Sequence, residues 1–262
     1  MKEMEHNFRI RGESMYLDHI VHFVEKNPLE IAEDWQQQGL HAVVGGQHIN
    51  WGTYNALLYT KNSYIEWLSI EDEHIAQNTD HPLISLMLHD LKKSPGFGTI
   101  CIRTSKIDVL KQELEEKGIE TSGVLYAERK TTSGFVRKWK MLFIREEVND
   151  QLPMPFFIEW QETDEDRYEL LKKDGTIVES NLQLSIESCE FHVKKPREIT
   201  KKWEKYLNVE QYDDQTLLLP NTKLVFKQLE DGTKERLIRV QIKGDSRQEA
   251  IIYEQGEYRF KL

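Results

Sequence analysis

One four-residue pattern occurs twice in the chain, at residues 64–67 and 157–160. Each copy places an aromatic residue, an isoleucine, a glutamate and a tryptophan in a stretch typical of a buried β-strand. Because side chains alternate along a strand, a glutamate between large apolar residues is expected at or near the interior. Burying an unpaired carboxylate costs several kcal/mol, so the repetition favours two acids that share a cation or cationic partners. Taken alone, either glutamate could instead face solvent from a half-buried strand.

The elements around these glutamates repeat in the order β-α-β-β-β. The first copy is predicted as a strand at 16–24, a helix that begins at Pro28 and ends at Gly39, and strands at 40–44, 54–60 and 64–70. A linking helix is expected at 82–93. The second copy is predicted as a strand at 97–104, a helix at 107–117, and strands near 123–128, 134–144 and 156–160. Proline suits a first helical turn and glycine suits the position after the last, which sets the ends of the first helix.

The tail repeats this order less completely. After a short helix at 164–173 we expect a strand at 184–193, a helix from Pro196, and strands at 216–219, 223–229, 235–244 and 250–260. The last two strands lack a helix between them and resemble an incomplete fourth copy. One unit of this size has too little core of its own, so the units must bury sheet faces against each other. The predicted organisation is an arm at 1–14, a pair of modules at 15–94 and 95–163, and a degenerate unit at 164–262.

Composition excludes several classes of protein. The net charge of −10, with no cluster of basic residues among aromatics, argues against a nucleic-acid surface. No apolar run approaches the roughly 20 residues that a membrane helix needs, and residues 1–14 lack the apolar core of a secretion signal. Cys101 and Cys189 lie far apart in predicted strands, as buried free thiols of a reducing compartment do. The sequence therefore predicts a cytoplasmic globular protein.

Three segments together resemble a known group of proteins. They are the first strand, with Leu17-Asp18-His19-Ile20-Val21, the loop and strand at 50–57 followed by the strand at 64–68, and the segment at 152–160. With the tandem modules, these are similar to the glyoxalase-like branch of the vicinal oxygen chelate superfamily over about residues 16–163. The resemblance implies an α+β fold in which two βαβββ modules pair into one cupped mixed sheet. It also implies a divalent metal, held by the first and last strands of each module.

Carried over residue by residue, the resemblance places metal ligands at His19, Glu66 and Glu159, and puts Thr99 at the fourth position. Threonine is a poor ligand, but three protein ligands still suit a catalytic site, which needs open coordination positions. A histidine with two carboxylates fits Zn, Fe, Mn or Ni as the cofactor. By analogy with the family, Glu159 is also a candidate catalytic general base.

Strand alternation gives these residues their expected surroundings. His19 is predicted on one face with Leu17, Val21 and Phe23, so the alternative to a ligand is a core histidine bonded to a backbone carbonyl. In the tail, Glu187 is expected at the position of His19 and Phe226 at that of Glu66. Phenylalanine cannot bind a metal, so the tail is expected to keep the fold without the chemistry.

The loop at 45–55 combines glycines, polar side chains and an aromatic residue between two predicted strands. Such a loop could close over a ligand, and its candidate substrate-binding residues are His48, Asn50, Trp51 and Asn55. Arg129 is a further candidate, since an arginine inside a cupped sheet can clamp a carboxylate or phosphate through two hydrogen bonds. Arg137 and Lys140 share this pattern. The alternatives are an ordinary glycine-rich loop and a surface strand with solvated charges.

Three functions remain open from the sequence, of which the last is a scaffold whose tail mediates assembly. The first is a divalent-metal-dependent enzyme of the lyase or isomerase type that acts on a small oxygenated metabolite. The second is a metal-free protein of the same fold that binds or sequesters a small molecule, which the threonine at position 99 favours. A small-molecule substrate is the expected partner and a homodimer stays open, whereas nucleic acid and membrane are not expected.

Overall fold

A computed structural model describes residues 15–130, 136–232, 234–247 and 249–262, without the side chains of Arg129 and Lys130. The predicted arm at 1–14 lies outside these residues. The first module contains β1 (Tyr16–Phe23), α1 (Pro28–Gln37), β2 (Val43–His48), β3 (Thr53–Tyr59) and β4 (Tyr64–Ile70). Two helices follow, α2 (Glu73–Gln77) and α3 (Pro82–Leu91). The second module contains β5 (Gly96–Arg103), α4 (Ile107–Glu116), β6 (Leu125–Lys130), β7 (Val136–Leu142) and β8 (Phe156–Trp160).

These eight strands form one mixed sheet in the order β2-β3-β4-β1-β5-β8-β7-β6. In each module the first strand runs parallel to the last, and β1 and β5 join the modules in antiparallel fashion. The predicted α+β fold of paired βαβββ modules is confirmed. The predicted start of α1 is also correct, since Pro28 opens the helix and the Asn27 side chain accepts hydrogen bonds from the N–H groups of Leu29 and Glu30.

The tail forms a second sheet with a closely related topology. After α5 (Asp164–Lys173) and α6 (Glu179–Gln183) come β9 (Ser185–Val193), α7 (Pro196–Leu207), β10 (Gln211–Asp213), β11 (Thr216–Leu219) and β12 (Thr222–Gln228). The chain ends with β13 (Arg236–Lys243), β14 (Ile251–Tyr253) and β15 (Gly256–Lys261). The strand order, β10-β11-β12-β9-β13-β15-β14, matches the first sheet with one strand fewer. The last three strands thus occupy the places of β5, β8 and β7.

Two strand predictions in these sheets are corrected. The stretch 250–260 is a hairpin, β14 and β15, rather than one strand. Its turn residues, Glu254 and Gln255, both have positive φ, which a sequence without Asn or Gly there does not signal. The strand predicted at 40–44 begins only at Val43, because Leu40 to Ala42 still pack beneath the end of α1.

A β-bulge changes the predicted faces of β1. The pairing of β1 with β5 shifts between Leu17 and His19, so Asp18 is an extra residue in the strand. Leu17 therefore packs on the Ile20 side of the sheet, whereas Val21 packs on the other side. The prediction that Leu17 and His19 share a face is wrong, because alternation fails at a bulge.

The same bulge occurs in β9, where Glu187 is the extra residue. Ser188 follows it and pairs with β12 through Lys223, as His19 follows Asp18 and pairs with β4 through Tyr64. The counterpart of His19 is therefore Ser188. Counting two residues along β12 makes Val225 the counterpart of Glu66. The predicted counterparts, Glu187 and Phe226, are each one residue out of register.

The convex faces of the two sheets share one core. Ile20, Trp67 and Ile100 from the first sheet lie in the same cluster as Phe191 and Tyr258 from the second. Buried residues of α1, α4 and α7 extend this cluster. Mutual burial of these faces supplies the large apolar core that a single module lacks.

The concave face of the first sheet, called the cup below, is covered by helices. Leu83, Ile84 and Met87 of α3 pack inside it against strand residues such as Val21 and Ile158. Residues of α5 cover the β3–β4 end of the cup. The predicted domain boundary at 163/164 lies between β8 and α5, and it stays a prediction.

Candidate functional site

His19 and Glu66 lie together in the cup. Nε2 of His19 is 3.5 Å from Oε2 of Glu66, and both residues are buried. The imidazole stacks on Tyr64, with ring centroids 4.5 Å apart, and its edge contacts Phe156 at 5.5 Å. These aromatic rings keep water from two sides of the imidazole, so Nε2 and Oε2 face each other within a largely apolar space.

Asp18 fixes the orientation of His19. Oδ1 of Asp18 lies 2.8 Å from Nδ1 of His19, and Oδ2 accepts hydrogen bonds from Arg103 and Trp160, each at 3.0 Å, and from Arg167 at 3.4 Å. Burial alone would raise the pKa of Asp18, but the charge of Arg167, the hydrogen bond from His19 and the charge of Arg103 together hold the pKa well below its usual value. An ionised Asp18 accepts a hydrogen bond from a protonated Nδ1. This leaves Nε2 without a proton, with its lone pair facing the cup.

Asn55 holds the second carboxylate. Its Nδ2 donates to Oε1 of Glu66 at 2.6 Å, and its Oδ1 accepts from the N–H of Gly46 at 2.8 Å. A Cβ added at Gly45 would lie 2.0 Å from Oδ1 of Asn55, so only glycine fits there. The glycines of this loop therefore orient Asn55, and Asn55 leaves Oε2 of Glu66 to face His19.

The structure does not bring Glu159 to this cluster. Ile158 and Trp160 line the cup, so Glu159 between them points to the outer face of the sheet. There it accepts a hydrogen bond from the N–H of Ile107 at 2.7 Å, at the first turn of α4, and pairs with Lys140 at 3.2 Å. The expectation that Glu159 is a metal ligand and general base is corrected: it caps a helix on the far side of the sheet.

Among the side chains that the structure describes, the other strands of the second module place no further carboxylate or imidazole beside His19. Thr99 donates a hydrogen bond to the carbonyl of Met154 at 3.4 Å. Cys101 pairs across the sheet with His19, and burial, followed by the charges of Asp18 and Glu66, raises the pKa of its thiol well above the usual value. Asp18, His19 and Cys101 lie within 4.8 Å of one another. The oxygens of Asp18 are already engaged, however, so Nε2 and Glu66 are the better ligand pair.

The predicted substrate-binding residues separate into three groups. Asn55 lies in the site, and His48 and Trp51 line the cavity beside it, with their ring centroids 5.2 Å apart. Asn50 is exposed at the mouth of the cavity. The side chain of Arg129 lies outside the described residues, so its role stays a prediction.

The cavity has a volume of about 60 Å³ and lies between the cup and α3. Sequence reasoning missed one of its residues, His81. His81, just before α3, is 6% exposed, and both ring nitrogens lack a hydrogen-bond partner among the described residues. Burial, with a smaller contribution from the charge of His48, lowers the pKa of His81 to about 3. Arg137, named in the sequence as a possible clamp, is 3% exposed and also lines the cavity.

The geometry fits a pair of metal ligands. Two atoms bound to one tetrahedral cation at about 2.0–2.2 Å lie about 3.3–3.6 Å apart, and the Nε2–Oε2 distance is 3.5 Å. A metal-bound histidine typically donates its other N–H to a carboxylate, as His19 does to Asp18. The described cup therefore offers two protein ligands rather than the expected three.

Paired βαβββ modules that curl into one cupped sheet define the vicinal oxygen chelate class, and this fold belongs to it. The sequence pattern of the glyoxalase-like domain matches residues 17–207. The chain is thus a member of the glyoxalase-like domain family. No curated protein sequence matches it significantly.

A solved structure shows the same fold along nearly the whole chain. A hypothetical protein from Staphylococcus aureus aligns with a TM-score of 0.80 and 25% identity, over 94% of this chain and 99% of that one. A methylmalonyl-CoA epimerase from Mycobacterium tuberculosis aligns with a TM-score of 0.37 and 21% identity, over 58% of this chain and 91% of that one. For a hypothetical protein from Bacillus halodurans the values are 0.39, 19%, 58% and 96%. The last two alignments are too distant to bear on function. Among the described residues, no helix has the length and apolar character to span a membrane.

Proposed function

We propose that the chain is a divalent-metal-dependent enzyme of the lyase or isomerase type, with its site at His19 and Glu66 in the cup. The observation that carries the proposal is the Asp18–His19–Glu66 arrangement, in which one imidazole nitrogen is held by a carboxylate and the other lies 3.5 Å from a second carboxylate. A catalytic site needs few protein ligands and open positions for substrate. The proposed cofactor is Zn, Fe, Mn or Ni.

The protein's own residues have separate tasks in this proposal. Asp18 keeps the proton on Nδ1 of His19, so Nε2 presents a lone pair to the cup. Asn55 holds Oε1 of Glu66 and leaves Oε2 facing His19. The apolar side chains of α3 exclude water, which strengthens electrostatic interactions inside the cup. A cation bound there would polarise two adjacent oxygens of a small metabolite.

Metal analysis of the purified protein tests the proposal. We expect about one divalent cation per chain, by mass spectrometry after purification without chelator. His19→Gln and Glu66→Gln should each lower metal affinity at least about tenfold. Glu159→Gln is the matched control, because it removes the same functional group from the outer face of the sheet, and it should keep the metal.

The opposite pattern, with metal lost from Glu159→Gln and kept in Glu66→Gln, would disprove the assignment. Circular dichroism and thermal unfolding of each variant establish that it is folded. Retained metal in both His19→Gln and Glu66→Gln would place the cation elsewhere in the molecule.

The second candidate is a metal-free protein that binds a small molecule in the same cavity. Its support is the cup wall next to His19, where Thr99, Cys101 and Phe156 offer no further carboxylate or imidazole. An absence of metal from freshly purified protein, combined with saturable binding of a small molecule, would favour this function. In either case the proposed partner is a small-molecule substrate or ligand, and a homodimer remains to be tested by sedimentation.

The proposed location is the cytoplasm. Cys101 and Cys189 are both buried free thiols, as is common in reducing compartments. Measurement of the oxidation state of both thiols after rapid alkylation in cells would test this location.

A further inference from the structure

A second set of side chains lines the cavity that holds His19 and Glu66. It consists of Arg137 and Trp139 from β7, Trp160 from β8, Trp51 from the turn before β3, and His81 from the start of α3. We call these five residues the anion wall. Trp160 already has a role, because its Nε1 donates to Asp18 and its ring lies 4.5 Å from the guanidinium of Arg167. The other four make no hydrogen bond to Asn55, Glu66 or His19 given above, so their placement needs a separate reason.

His81 has unused hydrogen-bonding capacity. Its ring packs against Trp51 with centroids 4.3 Å apart and ring planes tilted by 42°, and it meets Phe143 edge-on at 5.2 Å. Both nitrogens are nevertheless buried without a partner among the described residues. An unsatisfied buried polar group costs stability, so such a group in a cavity indicates a ligand that completes its hydrogen bonds. With its pKa lowered to about 3, the ring is neutral at pH 7 and offers one donor and one acceptor.

Arg137 has a buried charge that is poorly matched. Nε lies 3.4 Å from Oε1 of Glu162, but without hydrogen-bond geometry. Both oxygens of Glu162 are likewise buried and lack a hydrogen-bond partner among the residues that the structure describes. A buried guanidinium is normally satisfied by a carboxylate through two parallel hydrogen bonds. This arginine is therefore paired with Glu162 only loosely, and its Nε has no hydrogen-bond partner among the described residues, so a ligand carboxylate can compete with Glu162 for it.

The three tryptophans determine the shape of that ligand. Trp139 and Trp160 are half-buried and adjacent, with centroids 5.4 Å apart, and Trp51 is half-buried beside His81. All three, with Arg137, also line the wider opening outside the cavity. Flat indole surfaces along an entry path favour a flat apolar group. Three of the chain's six tryptophans are at this wall.

We propose that the anion wall binds a substrate that carries one carboxylate and a flat conjugated body. Arg137 binds the carboxylate, and His81 hydrogen-bonds to an uncharged oxygen or nitrogen of the ligand. The flat body packs against the tryptophans and extends into the wider opening, because the cavity of about 60 Å³ cannot enclose it. A monoanion is favoured over a phosphate, because Arg137 is the one buried cation among the described side chains that line the cavity, and Lys140 faces outward. This inference rests on the proposed function for the reacting end of the substrate, but the wall itself needs no metal.

Three simple probes test the wall by isothermal titration calorimetry. Benzoate has the carboxylate and the flat ring, benzamide has the ring without the charge, and acetate has the charge without the ring. For benzoate we expect a dissociation constant on the order of 1 mM or tighter, in line with a ligand of this size. Benzamide and acetate should each bind at least about tenfold more weakly. Equal binding of benzoate and benzamide, or no binding of benzoate, would overturn the proposal.

Two variants with opposite expected effects sharpen the test. Glu162→Gln removes the competing carboxylate and should tighten benzoate binding. The double variant Arg137→Gln/Glu162→Gln removes both charges, leaves no buried ion unpaired, and should weaken benzoate at least about tenfold while benzamide is unchanged. An ion pair with a purely structural role would give no gain for Glu162→Gln, and that result contradicts the proposal.

His81→Phe provides a third variant. It keeps an aromatic ring against Trp51 and removes the two nitrogens, so both benzoate and benzamide should bind more weakly, by about threefold to tenfold. Unchanged affinity for both probes would remove His81 from the wall.

The titrations are repeated with chelator present and in Glu66→Gln. Benzoate binding should persist in both, because the wall does not include the proposed metal ligands. If the protein binds no metal but discriminates benzoate from benzamide, the proposed function fails and the anion wall stands. If it binds metal but does not discriminate the probes, the anion wall alone fails.

Discussion

The two sheets of this molecule share a topology, but their concave faces have opposite character. In the first sheet, α3 covers the cup, and His19 and Glu66 lie buried within it. In the second sheet, Ser188 and Val225 take the corresponding positions, and each is partly exposed. The β-bulge is present in both, at Asp18 and at Glu187. The same backbone thus makes a buried site or an open surface, depending on the side chains and on whether a helix covers them.

Charged residues follow this difference. In the second sheet Glu190 pairs with Arg239 at 2.6 Å and with Lys227 at 2.7 Å, and Arg239 also pairs with Glu257 at 2.8 Å. These groups neutralise one another at the surface. In the cup, by contrast, Asp18 is fully buried and its charge is compensated by arginines from behind the site. Charges that are fully paired at a surface leave no group free to bind a ligand, whereas the cup keeps described polar groups without hydrogen-bond partners.

The largest expected effect comes from the contact that joins the cover of the cup to the second sheet. Asp90 of α3 binds Arg236 of β13 through two hydrogen bonds of 2.8 and 2.9 Å, and both side chains are buried. Asp90→Asn replaces the charged partner of a buried guanidinium by a neutral amide with one acceptor oxygen. We therefore expect a loss of about 3–5 kcal/mol in the free energy of unfolding. Urea denaturation measures this loss. A loss below about 1 kcal/mol would show that α3 is not held by the second sheet.

A pH effect of about 3 kcal/mol is expected where the sheets meet. His22 contacts Tyr258 at 2.6 Å and the carbonyl of Glu254 at 3.1 Å, and its counterpart in the second sheet is Phe191. Burial lowers the pKa of His22 to about 4, although the hydrogen bond to Glu254 opposes the shift. Because the unfolded chain binds the proton more tightly, this stability is present above about pH 6.5 and falls by about 3 kcal/mol as the pH drops to 4.

His22→Phe, which installs the residue of the second sheet, should remove that part of the pH dependence. Urea denaturation of both proteins across this pH range measures it. Loss of the hydrogen bond to Tyr258 lowers stability by a similar amount at every pH, so it does not change the slope. If the free energy of unfolding depended on pH in the same way in both proteins, this result would contradict a buried, neutral imidazole at His22.

A smaller effect is expected at the two bulges. Asp18→Asn removes the acceptor that fixes the proton on Nδ1 of His19, so the affinity for a divalent cation should fall about 10–100-fold. Glu187→Gln changes the equivalent residue of the second sheet, which pairs with Lys261 at the surface, and should leave metal affinity unchanged. Metal titration of folded protein separates the two. Equal effects would mean that the bulge matters only for strand geometry.

The smallest effect is expected in the open surface of the second sheet. Lys227→Gln removes one partner of Glu190, but the lysine is half exposed and Arg239 remains. We expect a change of no more than about 1 kcal/mol in the free energy of unfolding. A larger loss would mean that this ion network stabilises the second sheet as strongly as buried contacts stabilise the first.

The sequence predicted the module order well because proline, glycine and apolar periodicity act locally. It could not determine on which face each glutamate lies. Phe157 and Ile158 are buried on opposite sides of β8, so a shift of one residue moves Glu159 from the cup to the outer face without altering the apolar pattern. Lys140 was the available signal, because a lysine directly across the sheet from Glu159 indicates an ion pair outside the cup.

Asp18 shows a second limit of sequence reasoning. Alternation placed it opposite His19, but the bulge brings its carboxylate to the imidazole. A bulge is fixed by the pairing of two distant strands, which no local pattern reveals. The partners of Asp18 come from β5, β8 and α5, and these elements meet only in the folded chain.

The link between Asp90 and Arg236 also determines how a ligand can reach the interior. Displacement of α3 would break a buried ion pair with the second sheet, so we expect this helix to stay in place when a ligand enters. A ligand is then expected to enter and leave through the wider opening. Residues of β2 and the following turn line this opening on one side, and residues of β6 and β7 line it on the other. Bulky substitutions at the edge of this opening, rather than in α3, are expected to slow both the binding and the release of a ligand.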